Sequence, residues 1–157
     1  MLVVRWVFVG LKFIGYGTIG QAIYVLAYDR SWRVDDGEWE VEATDQFNEW
    51  FTTLDNELAD AVNVAIDKLA EVGPSLKRPL VGEILSSRHK NMKELRRSIK
   101  KHDFRVLFAF DPRRTVILLL GGDKSGNWVD WYDQEIPRAD DLYDEYLEEL
   151  RQEGLIS

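Results

Sequence analysis

The residues of this chain best suited to chemistry are cations placed near aromatic side chains. Arg96 and Arg105 sit in neighbouring apolar stretches, Lys124 follows a Val/Ile/Leu run, and Trp128, Trp131 and Tyr132 come directly after that lysine. Guanidinium groups grip phosphate oxygens in pairs and an ammonium adds a compact charge, so the three together form a phosphate-sized feature. The aromatics offer either an apolar helix face, from their i, i+3, i+4 spacing, or a platform on which bases stack. The chain has no cysteine and two histidines, His89 and His102, which excludes thiolate and multi-histidine metal sites. No carboxylate pair or Ser-His-Asp order stands out, and no metal or cofactor is expected. A site of Arg, Lys and Tyr suits attack of an RNA 2′-hydroxyl on its own phosphate, because that nucleophile is internal to the substrate. The run from Gly121 to Trp128 has the look of a phosphate loop, but the glycine spacing before Lys124 is wrong and no parallel βαβ unit surrounds it.

Strand alternation decides which of these residues meet. Phe104, Val106, Phe108 and Phe110 share one face, which sends Arg105 and Ala109 to the other. On a short preceding strand, Met92 to Arg97, Leu95 is the natural core residue, so Met92, Glu94 and Arg96 point with Arg105. A competing reading pairs Arg96 with Glu94 or Asp103 and leaves the face merely soluble. Asp111 to Arg114 reads as a hairpin turn. Thr115 to Leu120 reads as a central strand buried on both sides, ended by Gly121-Gly122. Upstream, Trp39 to Thr44 alternates as a strand, and Thr44 caps a short helix with Phe47, Trp50, Phe51 and Leu54 inward. Asp55 caps a second helix that Gly73-Pro74 stops. Ser75 to Asn91 reads as a loop without period. Asn127 to Tyr132 is a short segment leading through Ile136-Pro137 into a final helix, with Ala139, Leu142, Tyr143, Tyr146 and Leu150 inward. The sum is an α+β domain of about 115 residues, an N-terminal strand and helix pair packed on a small antiparallel sheet with a C-terminal helix.

Charge is segregated along the chain. Of 157 residues, 45% are hydrophobic, enough for a core, and the net charge is −8. That balance argues against a protein that coats nucleic acid with its whole surface. From Asp29 to Leu76 there are 13 acidic and three basic residues, from Lys77 to Arg105 10 basic and three acidic, and from Asn127 onward 10 acidic and two basic. Half of all Lys and Arg thus lie in one stretch, either a phosphate site or a solvated loop balancing the acidic helices. His89 and His102 read as loop residues flanking the Arg96 strand, each a possible general acid or base.

Leu2 to Tyr28 is apolar and rich in glycine, with its longest uncharged run, Phe13 to Tyr28, spanning 16 residues, short of the roughly 20 needed to cross a bilayer. Residues 1–37 are therefore expected to be an extension and linker arising from a start codon set too far upstream. A membrane tether through residues 2–28 is the alternative.

The stretch Asn91-Met92-Lys93-Glu94-Leu95-Arg96 with Arg105-Val106-Leu107-Phe108-Ala109-Phe110-Asp111-Pro112 resembles the RelE/ParE toxin superfamily. The run Gly122 to Trp128, with Trp131-Tyr132, Ile136-Pro137 and Ala139-Asp140, resembles its HigB branch. The resemblance covers residues 38–150 and leaves 151–157 as a tail. It implies a RelE-like fold and the toxin of a type II toxin–antitoxin system, a cytoplasmic endoribonuclease cutting mRNA on the ribosome without a metal. The implied partners are a cognate antitoxin of helix-turn-helix type, the ribosome and mRNA, with no stable membrane partner unless the extension is real. The implied catalytic residues are Arg105 on the scissile phosphate, Arg96 and Lys124 beside it, Tyr132 against the nucleotide, and Glu94 as a candidate base, with His89 as the other. Lys93, Arg97, His89, Trp128 and Trp131 would complete the RNA contact. Met92 and Glu94 stand where better-known members carry lysines. A ParE-like gyrase inhibitor, or a degenerate member that only binds antitoxin, is the alternative.

Overall fold

The computed structural model describes residues 39–126 and 128–157, and for residues 128 and 129 the backbone alone. The expectations for residues 1–37 lie outside the described residues. Among the described residues no helix is long and apolar enough to cross a membrane. The elements are β1 (Glu40–Ala43), α1 (Asp45–Thr52), α2 (Asn56–Val72), β2 (Val81–Glu83), β3 (Met92–Ile99), β4 (His102–Phe110), β5 (Thr115–Asp123) and α3 (Trp128–Gln152). The five strands make one sheet in the order β1-β5-β4-β3-β2.

The sheet is mixed, since β1 pairs parallel with β5 while the other neighbours are antiparallel. The three strands expected to form an antiparallel sheet, β3 to β5, do so, and β1 adds a parallel edge beside β5. From β1 the chain crosses through α1 and α2 to β2 at the far edge and returns by β3 and β4, which brings β5 beside β1 in the same direction.

Each face of the sheet buries its own apolar cluster. On one, α1 and α2 bring Phe47, Val62, Ala65, Ile66 and Leu69 against Leu95, Phe104, Val106, Phe108, Val116 and Leu118. On the other, α3 brings Ile136, Ala139, Tyr143, Tyr146 and Leu150 against Met92, Leu107, Ala109, Ile117 and Leu119. Each fully buried side chain of this size contributes about 1.5–3 kcal/mol, so β5, enclosed on both faces, anchors the fold. The β4–β5 register shifts between Leu107 and Phe108, whose partners are Leu120 and Leu118. Leu119 is the extra residue of that bulge, and its carbonyl accepts the Thr44 hydroxyl at 2.6 Å. The same hydroxyl accepts from Phe47 N at 3.1 Å, so one threonine caps α1 and ties it to the bulge.

Several boundaries differ from expectation, each for a physical reason. The segment taken as a loop contains β2, hidden by its three-residue length and Gly82, and revealed by Val81, Gly82 and Glu83 pairing with Leu95, Glu94 and Lys93. β3 is longer than Met92 to Arg97. His102 opens β4 rather than lying in a loop. Gly121-Gly122 do not end β5, which runs to Asp123. Pro137 lies inside a continuous 25-residue α3 instead of introducing it. Proline removes one helix donor, yet Ile136 and Ala139 on either side both bury against the sheet and carry the helix through. At the C-terminus α3 ends at Gln152, Leu155 N donates to Leu150 O at 2.9 Å, and Ile156 packs on the second cluster.

Candidate active site

The site is one row of the sheet. β3 and β4 pair so that Arg96 faces Arg105, and β4 and β5 pair so that Arg105 faces Gly122. Alternation puts Glu94 and Arg96 on the α3 face with Met92, and Arg105 there with Leu107. Lys124 follows immediately, its backbone N–H donating to Asp103 O at 3.1 Å. The first turns of α3 lower Tyr132 onto this row.

Glu94, 3% exposed, is the hub. Its Oε1 accepts from Arg96 Nε at 2.8 Å and Nη2 at 2.5 Å, and its Oε2 accepts the Tyr132 hydroxyl at 2.5 Å. Arg105, 7% exposed, donates from Nη1 to Asp103 Oδ1 at 2.7 Å and Phe104 O at 2.8 Å, and from Nη2 to Asp103 Oδ2 at 3.2 Å. Its Nε is buried without a hydrogen-bond partner, with Glu94 Oε2 3.6 Å away. Lys124 Nζ lies 3.5 Å from Asp103 Oδ2 and 6.0 Å from the centre of the Tyr132 ring. The competing reading therefore names a real pair, Arg96 with Glu94. Asp103, expected at most as a partner of Arg96, instead holds Arg105 and Lys124.

Arg96, Arg105 and Lys124 meet Glu94 and Asp103 here in a half-buried setting where charge interactions are strong. Burial, reinforced by the hydrogen bond and charge of Glu94, pushes the Tyr132 phenol up to about 12 against the pull of Arg105. Tyr132 thus keeps its proton at neutral pH. Burial works to raise Asp103, but hydrogen bonds from Ser98 and Arg105 and the charges of Arg105 and Lys124 outweigh it and hold the carboxyl below its usual range. The arrangement offers donors for an anion, a buried carboxylate to take a proton and a phenol to give one.

The row gathers Glu94, Arg96, Arg105, Lys124, Trp131 and Tyr132. It leaves out others. Lys93 and Arg97 face Phe108 and Phe104 in the register and so share the α1/α2 side of the sheet, and Lys93 Nζ lies 3.6 Å from Glu83. His89 sits beyond the opposite end of β3, with Nε2 2.8 Å from Asp144 Oδ1 and its ring edge-on to Tyr143. It is therefore not placed to act as base beside Glu94. His102 pairs with Asp123 Oδ2 at 2.6 Å and stacks on Phe104. The Trp128 side chain lies outside the described residues. Sequence reasoning missed Gly82 and Gly122. A Cβ on Gly82 would fall 2.5 Å from Arg96 Nη2 and one on Gly122 2.4 Å from the Trp131 indole nitrogen, well inside van der Waals contact, so both side chains lie on bare backbone. The signal was present as Gly in a β stretch, which marks close approach.

The profile of a family described as "Phage derived protein Gp49-like" matches residues 49–144, and the chain belongs to that family. Two proteins of Mycobacterium tuberculosis (strain ATCC 25618 / H37Rv) are similar. The one provisionally named toxin HigB2 is 45% identical over 104 residues, 66% of this chain and 52% of that protein. The one provisionally named toxin HigB3 is 48% identical over 102 residues, 65% of this chain and 88% of that protein. The chain thus spans about half the length of the first relative and most of the second. With these relatives the resemblance to the HigB-like branch of the RelE superfamily holds. An archaeal RelE–RelB complex from Pyrococcus horikoshii OT3 matches with a TM-score of 0.44 and 13% identity, over 57% of this chain and 98% of that one.

Proposed function

We propose that this chain is the toxin of a type II toxin–antitoxin system and that it is an endoribonuclease whose active site is the Glu94/Arg96/Arg105/Tyr132 row. The observation that carries this is the row itself, in which Arg96, Arg105 and Lys124 converge beside a buried Glu94 whose Oε2 accepts the Tyr132 hydroxyl. Guanidinium and ammonium groups gathered beside a carboxylate and a phenol suit a phosphate at which one proton is taken and another is given. In the reaction the 2′-oxygen attacks phosphorus, its proton passes to Glu94, the bond from phosphorus to the 5′-oxygen breaks, and Tyr132 protonates that oxygen. Arg105, Arg96 and Lys124 stabilise the charge developing on the phosphorane. The products are a 2′,3′-cyclic phosphate and a 5′-hydroxyl. The relatives' names support the toxin reading. A cognate antitoxin, the ribosome and mRNA are its partners, and the cytoplasm is where it acts.

One observation favours a toxin that binds without cutting: Arg96 already gives two donors to Glu94. Inducing the chain from a tightly controlled promoter and mapping mRNA 5′ ends separates the two. New ends within translated messages, absent for Arg105→Ala while antitoxin binding persists, support the ribonuclease. Growth arrest without new ends, with gyrase-dependent DNA damage, would replace it by the inhibitor reading.

A further inference from the structure

Gly121 and Gly122 face opposite sides of the sheet, and each receives a tryptophan, Trp50 of α1 on one side and Trp131 of α3 on the other. A Cβ on Gly122 would lie 2.4 Å from Trp131 Nε1 and 2.8 Å from Cε2, so the indole rests directly on the backbone. Gly122 is also the cross-strand partner of Arg105, which sets the indole at the arginine row. Trp131 meets the next residue, Tyr132, edge to face, with ring centres 5.1 Å apart at 79°. Consecutive helix residues point about 100° apart, so one turn of α3 presses an indole to the sheet and swings a phenol across it. The distance from the helix to the sheet decides whether that phenol reaches Glu94. Pro137 withholds its backbone donor from the turn before it, so the start of α3 is tied less firmly to the rest of the helix. Side-chain seating must then fix it.

We propose that Trp131, seated on the bare backbone of Gly122, is the positioning residue that holds the Tyr132 hydroxyl on Glu94. Trp131 touches no reacting atom in this role. The inference rests on the reading of this row as the catalytic one only for its effect on cleavage, and its geometry is testable without RNA.

The test uses the full chain labelled with carbon-13 at the tyrosine ζ carbons, with Tyr132→Phe to assign the resonance. Wild-type Tyr132 is expected to stay largely a phenol up to about pH 11, since burial and Glu94 push it up to about 12. In Gly122→Ala the indole is lifted, and Tyr132 is expected to ionise about one pH unit lower, within the titration. Tyr146, packed on the far half of α3, is expected not to move. Should Gly122→Ala fail to fold, Trp131→Ala gives the same readout without adding an atom. Tyr132 still un-ionised at that pH in both variants overturns the proposal. Lowered ionisation with RNA cleavage slowed about 10-fold supports both the positioning and the catalytic reading. Lowered ionisation with undiminished cleavage leaves the positioning standing and removes Tyr132 as the proton donor.

Discussion

Two clusters on the α3 face of the sheet use the same residue types to opposite effect. At one end lie Glu94, Asp103, Arg96, Arg105, Lys124 and Tyr132. At the other, Tyr146 donates to Glu42 Oε2 at 3.0 Å or Asp111 Oδ2 at 2.9 Å, and Arg113 reaches Asp111 Oδ2 at 2.6 Å, Tyr146 at 2.5 Å and Glu42 Oε1 at 3.3 Å. Asp111 further accepts from the backbone of Arg113 at 2.8 Å and Thr115 at 3.1 Å, which closes the β4–β5 turn. In this second cluster carboxylates outnumber the cation, Tyr146 is 2% exposed, and its phenol is pushed far up by burial and by the charges of Glu42 and Asp111. Thr115 Oγ1 is left without a partner there, but it is a neutral hydroxyl. In the first cluster three cations, Arg96, Arg105 and Lys124, gather around Glu94 and Asp103. On the proposed reading an anion is repelled by the cluster around Arg113 and accepted by the row around Arg105. The Tyr–Glu–Arg set recurs at both ends of the face, and what separates the two ends is how many cations meet the carboxylates.

The sharpest way to break this comparison is to remove each arginine. Arg113→Ala leaves Glu42 and Asp111 buried without their cation and is expected to cost about 3–5 kcal/mol in urea unfolding. Arg105→Ala is expected to cost less, about 1–2 kcal/mol, because Glu94 keeps Arg96 and Tyr132, while RNA cleavage falls about 100-fold or more. A larger stability loss for Arg105→Ala than for Arg113→Ala would invert the roles assigned here. Acid unfolding sharpens the picture next to the active row. Burial opposes ionisation of Asp123, but hydrogen bonds from His102, Ser125 and the Asp103 backbone prevail and hold it at about 2. A depressed carboxyl contributes stability that is fully present above its unfolded value of 3.8 and is lost as pH falls from about 4 to about 2. Asp123→Asn should remove about 1–2 kcal/mol of acid dependence in that window, read from unfolding midpoints across pH. The smallest effect expected is at Arg138, whose pair with Glu135 is an exposed i, i+3 contact. Arg138→Ala should change stability by less than about 0.5 kcal/mol.

The active row was more legible in the sequence than the buried tie. Alternation around Leu95 and Phe104 placed Arg96 and Arg105 on one face without any tertiary information, because a strand's period of two is strict. Lys93 and Arg97 belong to the same basic block, but that same period sends them to the other face. Glu42 and Tyr146 are 104 positions apart, and nothing local in either marks a buried contact. His89 looked available because loop histidines carry no periodicity, and its partner Asp144 comes from a helix 55 positions away. The Gly121-Gly122 pair read as a stop because glycine weakens strands. The tryptophans that lie on it are contributed by two different helices, and that could not be read from the pair itself.

The central claim is that the Arg105 row cuts RNA through the 2′-hydroxyl. The direct measurement is the chemistry of the ends that the purified chain leaves on RNA, alone and with ribosomes, in the presence of a chelator. The expected ends are a 2′,3′-cyclic phosphate and a 5′-hydroxyl, which vanish with Arg105→Ala and persist with Asp123→Asn. No cleavage by the wild-type chain in either setting, or the same ends from Arg105→Ala, would contradict it.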